Sequence, residues 1–436
     1  MVYLPHWPIP SSLGNRSIDY ETVFERMSIV LKRLDNPHLK LPPTIHIAGT
    51  NGKGSTATFL GQIFKCNNNR THIYRSPHLH HYNERIILDG EMISNNFLYE
   101  ILEEVRLASK DAILTFMEST TIAAFLAFSK IKADILILEC GMGGRIDATN
   151  IIDNKLATII TPISYDHEEY LGHDIRRIAV EKAMIIRPKT PLFCSSQSNQ
   201  AKEIIKILAN DQKIDHFYYD EDFFIQKNID NSFDLEFGKH KLTNLPQPNL
   251  AGDHQYINFA TALASILYIS KEIKINQSAI EKAITSCEIH SRLQKINNNV
   301  NNLLHNKESE LWIDGAHNES GAFALQKWLE QQDNSYENYI IVGFSRNKCR
   351  IQFLEKFKDI AQIIAVRVNG EPNPEDPEKI VKIAKNNNIN ITNQENLLQA
   401  LEFIGKKQKK ARVVICGSFY LARDLKNLIN KRYLQN

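Results

Sequence analysis

Residues 44–64 read TIHIAGTNGKGSTATFLGQIF. TIHIA is a short, β-branched apolar run, GTNGKGS interrupts it, and TATFLGQIF resumes with apolar residues at helical spacing. The stretch therefore reads as strand, glycine-rich loop, helix. Such a loop lets backbone N–H groups close on a phosphate while the helix start adds positive dipole character. The lysine reaches terminal phosphates and the serine hydroxyl can ligate Mg2+. Gly52, Lys53, Gly54 and Ser55, with Asn51 beside them, are the candidate nucleotide residues. The spacing departs from the usual Walker A form: Gly49 lies close to Gly52, and Gly54 separates the lysine from the serine.

Outward from this loop, apolar strand-like runs recur at 135–138 (ILIL), 157–161 (ATIIT) and 192–194, separated by helical stretches at 121–130 and 175–186. Strands alternating with helices predict a mostly parallel sheet covered on both faces. Residues 216–238 differ: HFYYD, DFFIQ and FDLEF are short alternating runs that read as an antiparallel patch near the sheet edge. Helical pattern returns at 256–270 and 277–287, followed by a polar, Asn-rich segment over 297–302 that reads, like the other NNN runs, as solvated loop. A second α/β rhythm then begins, with strands at LWIDG (311–315), YIIVG (339–343), IIAVRV (363–368) and VVICG (413–417) and a helix over 322–329. The expected architecture is α/β: a P-loop-containing domain over 1–289 and a smaller Rossmann-like α/β domain over 290–436.

A chain of 436 residues leaves room for two or three domains at about 150 residues each. Its net charge of +2 argues against a global basic field for nucleic acid, so an anionic ligand must be held by a local site. Six isolated cysteines without a CxxC pair suit a reducing cytosol. The N-terminal MVYLPHWPIP lacks the pattern of a secretion signal, and no apolar run approaches the ~20 residues of a membrane span. The expectation is a cytoplasmic protein with small-molecule partners, working as a monomer.

Glu139 ends the ILIL run, where a buried carboxylate is costly unless it is paired or holds a metal. The plain reading is a strand-end charge reaching solvent. The Cys140–Arg145 loop that follows, CGMGGR, does not match GxGxxG, so a dinucleotide fingerprint is unsupported. His167, after ATIITPIS, has the position that Glu139 has after its own strand. It reads either as a structural hydrogen-bonder or as a metal ligand, with Mn2+ accommodating an imidazole better than Mg2+. Lys182, in VEKAM, reads locally as half of an exposed charge pair. Asp314, in DGAHN, sits at a strand end and also has the plain reading of a helix cap.

Taken together, these stretches resemble one family, the ATP-dependent folate ligases dihydrofolate synthase and folylpolyglutamate synthase, relatives of the Mur ligases. The matching segments are HIAGTNGKGST (46–56), SPHLHHYNERI (76–86), TFMESTT (115–121), ECGMGGRIDATN (139–150), ISYDHEEYLG (163–172), IAVEKAMII (178–186), GDHQYINFATAL (252–263), SRLQ (291–294), DGAHN (314–318) and CGSFYLA (416–422). The resemblance implies transfer of the ATP γ-phosphoryl group to a carboxylate and attack of L-glutamate's amine on the acyl phosphate. It implies ATP contacts from the GKGS loop, Asn258, Arg292 and Asp314. It implies Mg2+, as two ions and replaceable by Mn2+, held by Ser55, Ser76, Glu139 and His167. Lys53, Lys182 and His317 take the catalytic positions, and Lys182 matches a lysine that the family carbamylates. Met184 stands where that pattern has glycine, which predicts tighter packing around Lys182. Thr115, Met117, Glu118, Asp147 and Ala148 match a dihydropteroate pocket, and His317, Ser418 and Tyr420 a glutamate site. Both domains would then carry parts of one site. The bifunctional enzyme is preferred over a folylpolyglutamate synthase alone. A Mur-type ligase acting on a peptidoglycan precursor and a nucleotide-binding switch without ligase chemistry are the competing readings.

Overall fold

A computed structural model describes residues 20–110, 112–270, 273–296, 304–346, 351–371 and 373–433. The polar run at 297–302 and Cys349 lie outside the described residues. The chain folds as two compact units. The first runs to Asn249 and resumes over Tyr256–Cys287; the second takes Leu250–Gln255 and the chain from Glu288.

The first unit is built on β1 (Thr44–Ala48), β2 (Thr71–Tyr74), β3 (Ile86–Leu88), β4 (Glu91–Met92), β5 (Ile135–Glu139), β6 (Ala157–Ile160), β7 (Leu192–Cys194) and β8 (His216–Tyr218). They form one sheet in the order β4-β3-β2-β5-β1-β6-β7-β8, in which every pairing is parallel except those of β3 with β2 and with β4. Every residue of β1 and β5 is buried, as the unbroken apolar runs predict for strands covered on both faces. One core cluster joins Val30, Ile101 and Phe125 to Leu136 and Leu138; another joins Ile160 and Cys194 to Ile178 and Ile205. Each such buried Ile, Leu or Phe contributes on the order of 2 kcal/mol of transfer free energy.

The antiparallel patch differs from the sequence expectation. Its first run, HFYYD, is β8, which pairs in parallel with β7 (Phe193↔Phe217) after the crossover helix Asn199–Asp211. This is a βαβ unit, and the edge strand follows its handed geometry. The antiparallel sheet comprises β9 (Phe223–Lys227), β10 (Phe233–Phe237) and β11 (His240–Leu245) in the order β11-β10-β9. β11 has no strand signal of its own, because its sequence HKLTNL buries little beyond Leu245. Phe193, Phe217 and Phe237 pack together with ring centroids 5.1 to 6.1 Å apart, fastening this small sheet to the edge of the large one.

The second unit holds β12 (Gln294–Lys295), β13 (Glu310–Ile313), β14 (Glu337–Val342), β15 (Gln362–Ala365), β16 (Ile391–Asn393) and β17 (Ala411–Cys416). Their order is β12-β13-β17-β14-β15-β16, all parallel save β12. Leu325, Ile340, Phe353, Ile380 and Val414 belong to its core. No helix among the described residues is long and apolar enough to cross a membrane.

Candidate functional site

β2, β5, β1 and β6 are neighbours, so the loops after their carboxyl ends lie side by side. This is the edge where open α/β sheets bind ligands. The glycine-rich loop leaves β1, and its helix starts earlier than TATFLGQIF suggests, at Lys53, with Gly52 as N-cap at φ 85°. Lys53, Gly54 and Ser55 thus form the first turn, whose N–H groups have no intrahelical acceptor. Gly49 lies so near the strand-end backbone that a Cβ there would sit 2.0 Å from Thr161 Oγ1. Thr50 and Asn51 donate their N–H groups to Pro162 O, and Asn51 Nδ2 donates to Ser164 Oγ at 3.3 Å. Asn258 is buried against the same loop: a Cβ on Gly52 would lie 2.5 Å from its Oδ1.

Lys53 Nζ donates to Gly49 O and Thr50 O, at 2.9 and 3.1 Å. Lys182 is not the exposed charge that VEKAM suggests. It is buried, and its Nζ donates to Gly49 O at 3.0 Å. Burial, then the nearby Lys53 ammonium, lower its pKa from 10.5 to about 7, with Asp166 opposing. The crowding expected from Met184 is absent: the side chain is 40% exposed and its residue caps the helix Ile175–Ala183.

Glu139 is buried and accepts the Ser76 N–H at 3.4 Å, so the reading of a solvated strand-end charge fails. Ser55 is buried in the first helical turn, and Ser76 Oγ flanks Gly141. His167 takes a left-handed backbone (φ 50°) and heads a short helix, its N–H bonded to Asp166 Oδ1. Among the described residues no three His, Cys, Asp or Glu side chains cluster as a ready metal cage. Two hydroxyls, one carboxylate and one imidazole are nevertheless suitable donors for Mg2+ or Mn2+ sharing their shell with phosphate oxygens and water.

The residues matching the dihydropteroate pocket divide in two. Met117 and Asp147 converge on Gly141, where a Cβ would lie 2.8 Å from Met117 Cε and 3.5 Å from Asp147 Oδ2. Thr115 and Glu118 instead form a capping box at the start of the helix Phe116–Lys130. The buried Glu118 carboxylate also pairs with Arg26, at 2.6 and 3.2 Å. Ala148 belongs to the core. Arg85, not singled out by the sequence reading, stacks on Phe116 at 5.2 Å and donates to His78 Nδ1 and Met117 Sδ.

In the second unit, DGAHN and CGSFY follow the adjacent strands β13 and β17, and Gly417 N donates to Ala316 O at 2.7 Å. Asp314 organises its surroundings: its oxygens accept from Leu293 N and Ala316 N, both at 2.6 Å. Burial raises its pKa, opposed by Arg292 and these N–H groups. The helix-cap reading of Asp314 does not hold; the cap of Glu319–Glu330 is Asn318, which accepts from Gly321 N. His317 Nδ1 donates to Gly315 O at 2.8 Å, since a carbonyl oxygen can only accept. Ser418 is buried and its Oγ accepts from Tyr420 N, while Arg423 lies over the Tyr420 ring. Phe419 is a residue that sequence reasoning misses. It carries Arg292 on its face at 4.7 Å and sets the spacing of Gly315, where a Cβ would lie 2.4 Å from its ring. Its only sequence signal is that of an aromatic between two site residues.

A phosphate loop, a buried lysine beside it and strand-end loops on two parallel sheets define an ATP-dependent amide ligase of the Mur type. Residues 47–266 match the Mur ligase middle domain, and residues 294–428 match the C-terminal domain of dihydrofolate synthetase. The chain belongs to the dihydrofolate synthase/folylpolyglutamate synthase family. The dihydrofolate synthetase of Saccharomyces cerevisiae is 28% identical over 439 residues, spanning 95% of this chain and 99% of that protein. The structure of E. coli FolC in complex with DHPP and ADP superimposes with a TM-score of 0.85 at 26% identity, covering 97% of this chain and 96% of that one. A bifunctional folylpolyglutamate synthase/dihydrofolate synthase with Mn, AMPPNP and L-glutamate bound gives 0.81 at 27% identity, with 95% of each chain covered.

Proposed function

We propose that this chain ligates L-glutamate to 7,8-dihydropteroate and to the γ-carboxyl of reduced folates, using ATP. One observation carries the reading: the phosphate loop with Lys53 and Lys182 adjoins the Ser76, Met117 and Asp147 cluster on one sheet edge. In the first step a pteroate carboxylate oxygen attacks the γ-phosphorus and ADP leaves. In the second, glutamate's amine attacks the acyl carbon, inorganic phosphate leaves, and the ammonium proton is lost to base. Lys53 and the N–H groups of the first helical turn hold charge that develops on the transferred group. Ser55, Ser76, Glu139 and His167 are the donors for divalent cations, which when bound screen the phosphates from the incoming carboxylate. Asn258 borders the nucleotide loop, and Arg292 and Asp314 take the nucleotide-contact positions that the family resemblance gives them. His317, Ser418 and Tyr420 place glutamate, with the Phe419 ring bracing Arg292. Lys182 is carbamylated in this reading: held near pKa 7, its amine is available as the nucleophile that CO2 requires. The protein works in the cytoplasm, as a monomer.

A second reading, ligation to dihydropteroate alone, draws on the C-terminal match to dihydrofolate synthetase. Phosphate release with ATP, Mg2+ and L-glutamate, run with dihydropteroate and separately with tetrahydrofolate, separates the two. Turnover on both supports the bifunctional enzyme and turnover on dihydropteroate alone the narrower one. Release with neither removes the proposal.

A further inference from the structure

His46 lies in the middle of β1 with its side chain fully buried, yet no step of the proposed ligation uses it. Its Nε2 sits 2.8 Å from Thr149 Oγ1 and 3.1 Å from Cys140 Sγ. The protons can be assigned from the acceptors. Asp147 Oδ1, a carboxylate oxygen, can only accept, so the Thr149 hydroxyl at 2.5 Å donates to it. The Thr149 oxygen is then left to accept, and His46 Nε2–H donates. His46 Nδ1 has no hydrogen-bond partner, consistent with a bare lone pair, since a buried unpaired N–H would cost more. Burial, reinforced by Lys155 and Arg187, keeps the ring neutral.

The other end of this chain of hydrogen bonds is the substrate-side loop. Asp147 Oδ1 also accepts from Thr149 N at 3.0 Å, and Oδ2 accepts from both Gly141 N and Met142 N at 2.9 Å. Those two amides set where Gly141 passes between Ser76 and Met117. The relay runs from a neutral donor through a hydroxyl to a carboxylate, and each link polarises the next. If packing alone were required, an apolar residue would fill the position without leaving a nitrogen unpaired.

We propose that His46 is a positioning residue for the pteroate-side loop, acting through the Thr149 hydroxyl on the Asp147 carboxylate that holds the Gly141 and Met142 amides. The identity of the substrate rests on the proposed ligase function. His46→Leu removes the donor, His46→Gln keeps one near Nε2, Thr149→Val removes the hydroxyl, and Thr149→Ser keeps it. Steady-state phosphate release is measured for each, varying dihydropteroate at saturating ATP and glutamate and then varying ATP, with a melting curve alongside. Losing one relay hydrogen bond is expected to raise the KM for dihydropteroate about tenfold. His46→Leu and Thr149→Val should share this rise, keep the KM for ATP within about twofold, and not compound in the double variant. The Gln and Ser variants should recover most of it. Equal rises in both KM values, no rise at all, or a Gln variant no better than Leu would overturn the proposal. If His46→Leu does not fold, the Thr149 pair decides alone. A wild-type enzyme without turnover on dihydropteroate would count against the proposed function and not against the relay.

Discussion

The ammonium groups of Lys53 and Lys182 converge on one atom, the carbonyl oxygen of Gly49, at 2.9 and 3.0 Å. Burial first, and then repulsion between two cations sharing a single acceptor, lower the pKa of Lys182 to about 7. The phosphate loop therefore adjoins an amine, that of Lys182, whose charge is set by its surroundings. An anionic phosphate, or conversion of Lys182 to a carbamate, relieves the conflict from either side.

Replacing Lys53 with methionine removes the fixed charge aimed at the phosphates. Phosphate release should fall at least about a hundredfold, the scale of losing one preorganised charge-stabilising donor. The same change removes the like charge that helps depress Lys182, so the Lys182 pKa should rise. With 13C-bicarbonate at pH 7, NMR should show less carbamate on the variant than on the wild type. Unchanged turnover would refute the phosphate-loop assignment.

Lys182 and Lys155 are both buried, and both are lowered from 10.5 to about 7 mainly by desolvation. Between pH 7 and 10.5 the unfolded chain holds these protons while the folded chain has released them. Stability should therefore rise with pH across that window, by up to about 1.4 kcal/mol per pH unit for each lysine. Below pH 7 both states are protonated and the slope vanishes. Urea unfolding in CO2-free buffer without nucleotide should show this slope, and Lys182→Met and Lys155→Met should each remove about one proton's share of it. A slope undiminished in both variants would show that neither lysine carries the shift.

The elements that repeat a local rule are legible in the sequence. ILIL, ATIIT and TIHIA announce buried parallel strands, and GTNGKGS between strand and helix announces the phosphate loop. What is not legible depends on distant partners. Lys182 looks exposed in VEKAM because Gly49, the residue it bonds, is 133 positions away. HFYYD looks like its antiparallel followers until the crossover from β7 fixes its direction. Phe419 gains its meaning only when Arg292 and Gly315 close on it. Glu118 is a different case, since Thr115-x-x-Glu118 before an apolar run is itself a capping-box pattern, although the family resemblance assigns both residues to a substrate pocket.

Glu118 closes that capping box and is ion-paired with Arg26. Glu118→Ala removes both carboxylate contacts of Arg26, which keeps its bond to the Thr22 hydroxyl, and should lower stability by roughly 3 kcal/mol, the range for breaking a buried pair from one side. Arg26→Met should cost a comparable amount, and the double variant less than both losses combined, because the two residues share one interaction. Additive losses in the denaturation midpoints would show that they act separately.

Gly144 tests how the loop after β5 is tied to Lys182. A Cβ at Gly144 would lie 2.7 Å from Glu181 O and 2.8 Å from Lys182 O, both backbone atoms that cannot rotate away. Gly144→Ala must therefore push the loop off the helix Ile175–Ala183. Arg145 would lose its N–H bond to Glu181 O at 2.7 Å and its guanidinium contact with the Glu181 carboxylate at 2.9 Å. Because this helix presents Lys182 to Gly49, the displacement should reach the phosphate loop and lower phosphate release about tenfold or more, as small misplacements of reacting groups do. Gly172→Ala is the control. It carries backbone strain at φ 81° but meets nothing within 4 Å, so it should cost about 1–3 kcal/mol of stability with little change in turnover. Equal turnover in the two variants would show that the contact between this loop and helix does not set the position of Lys182.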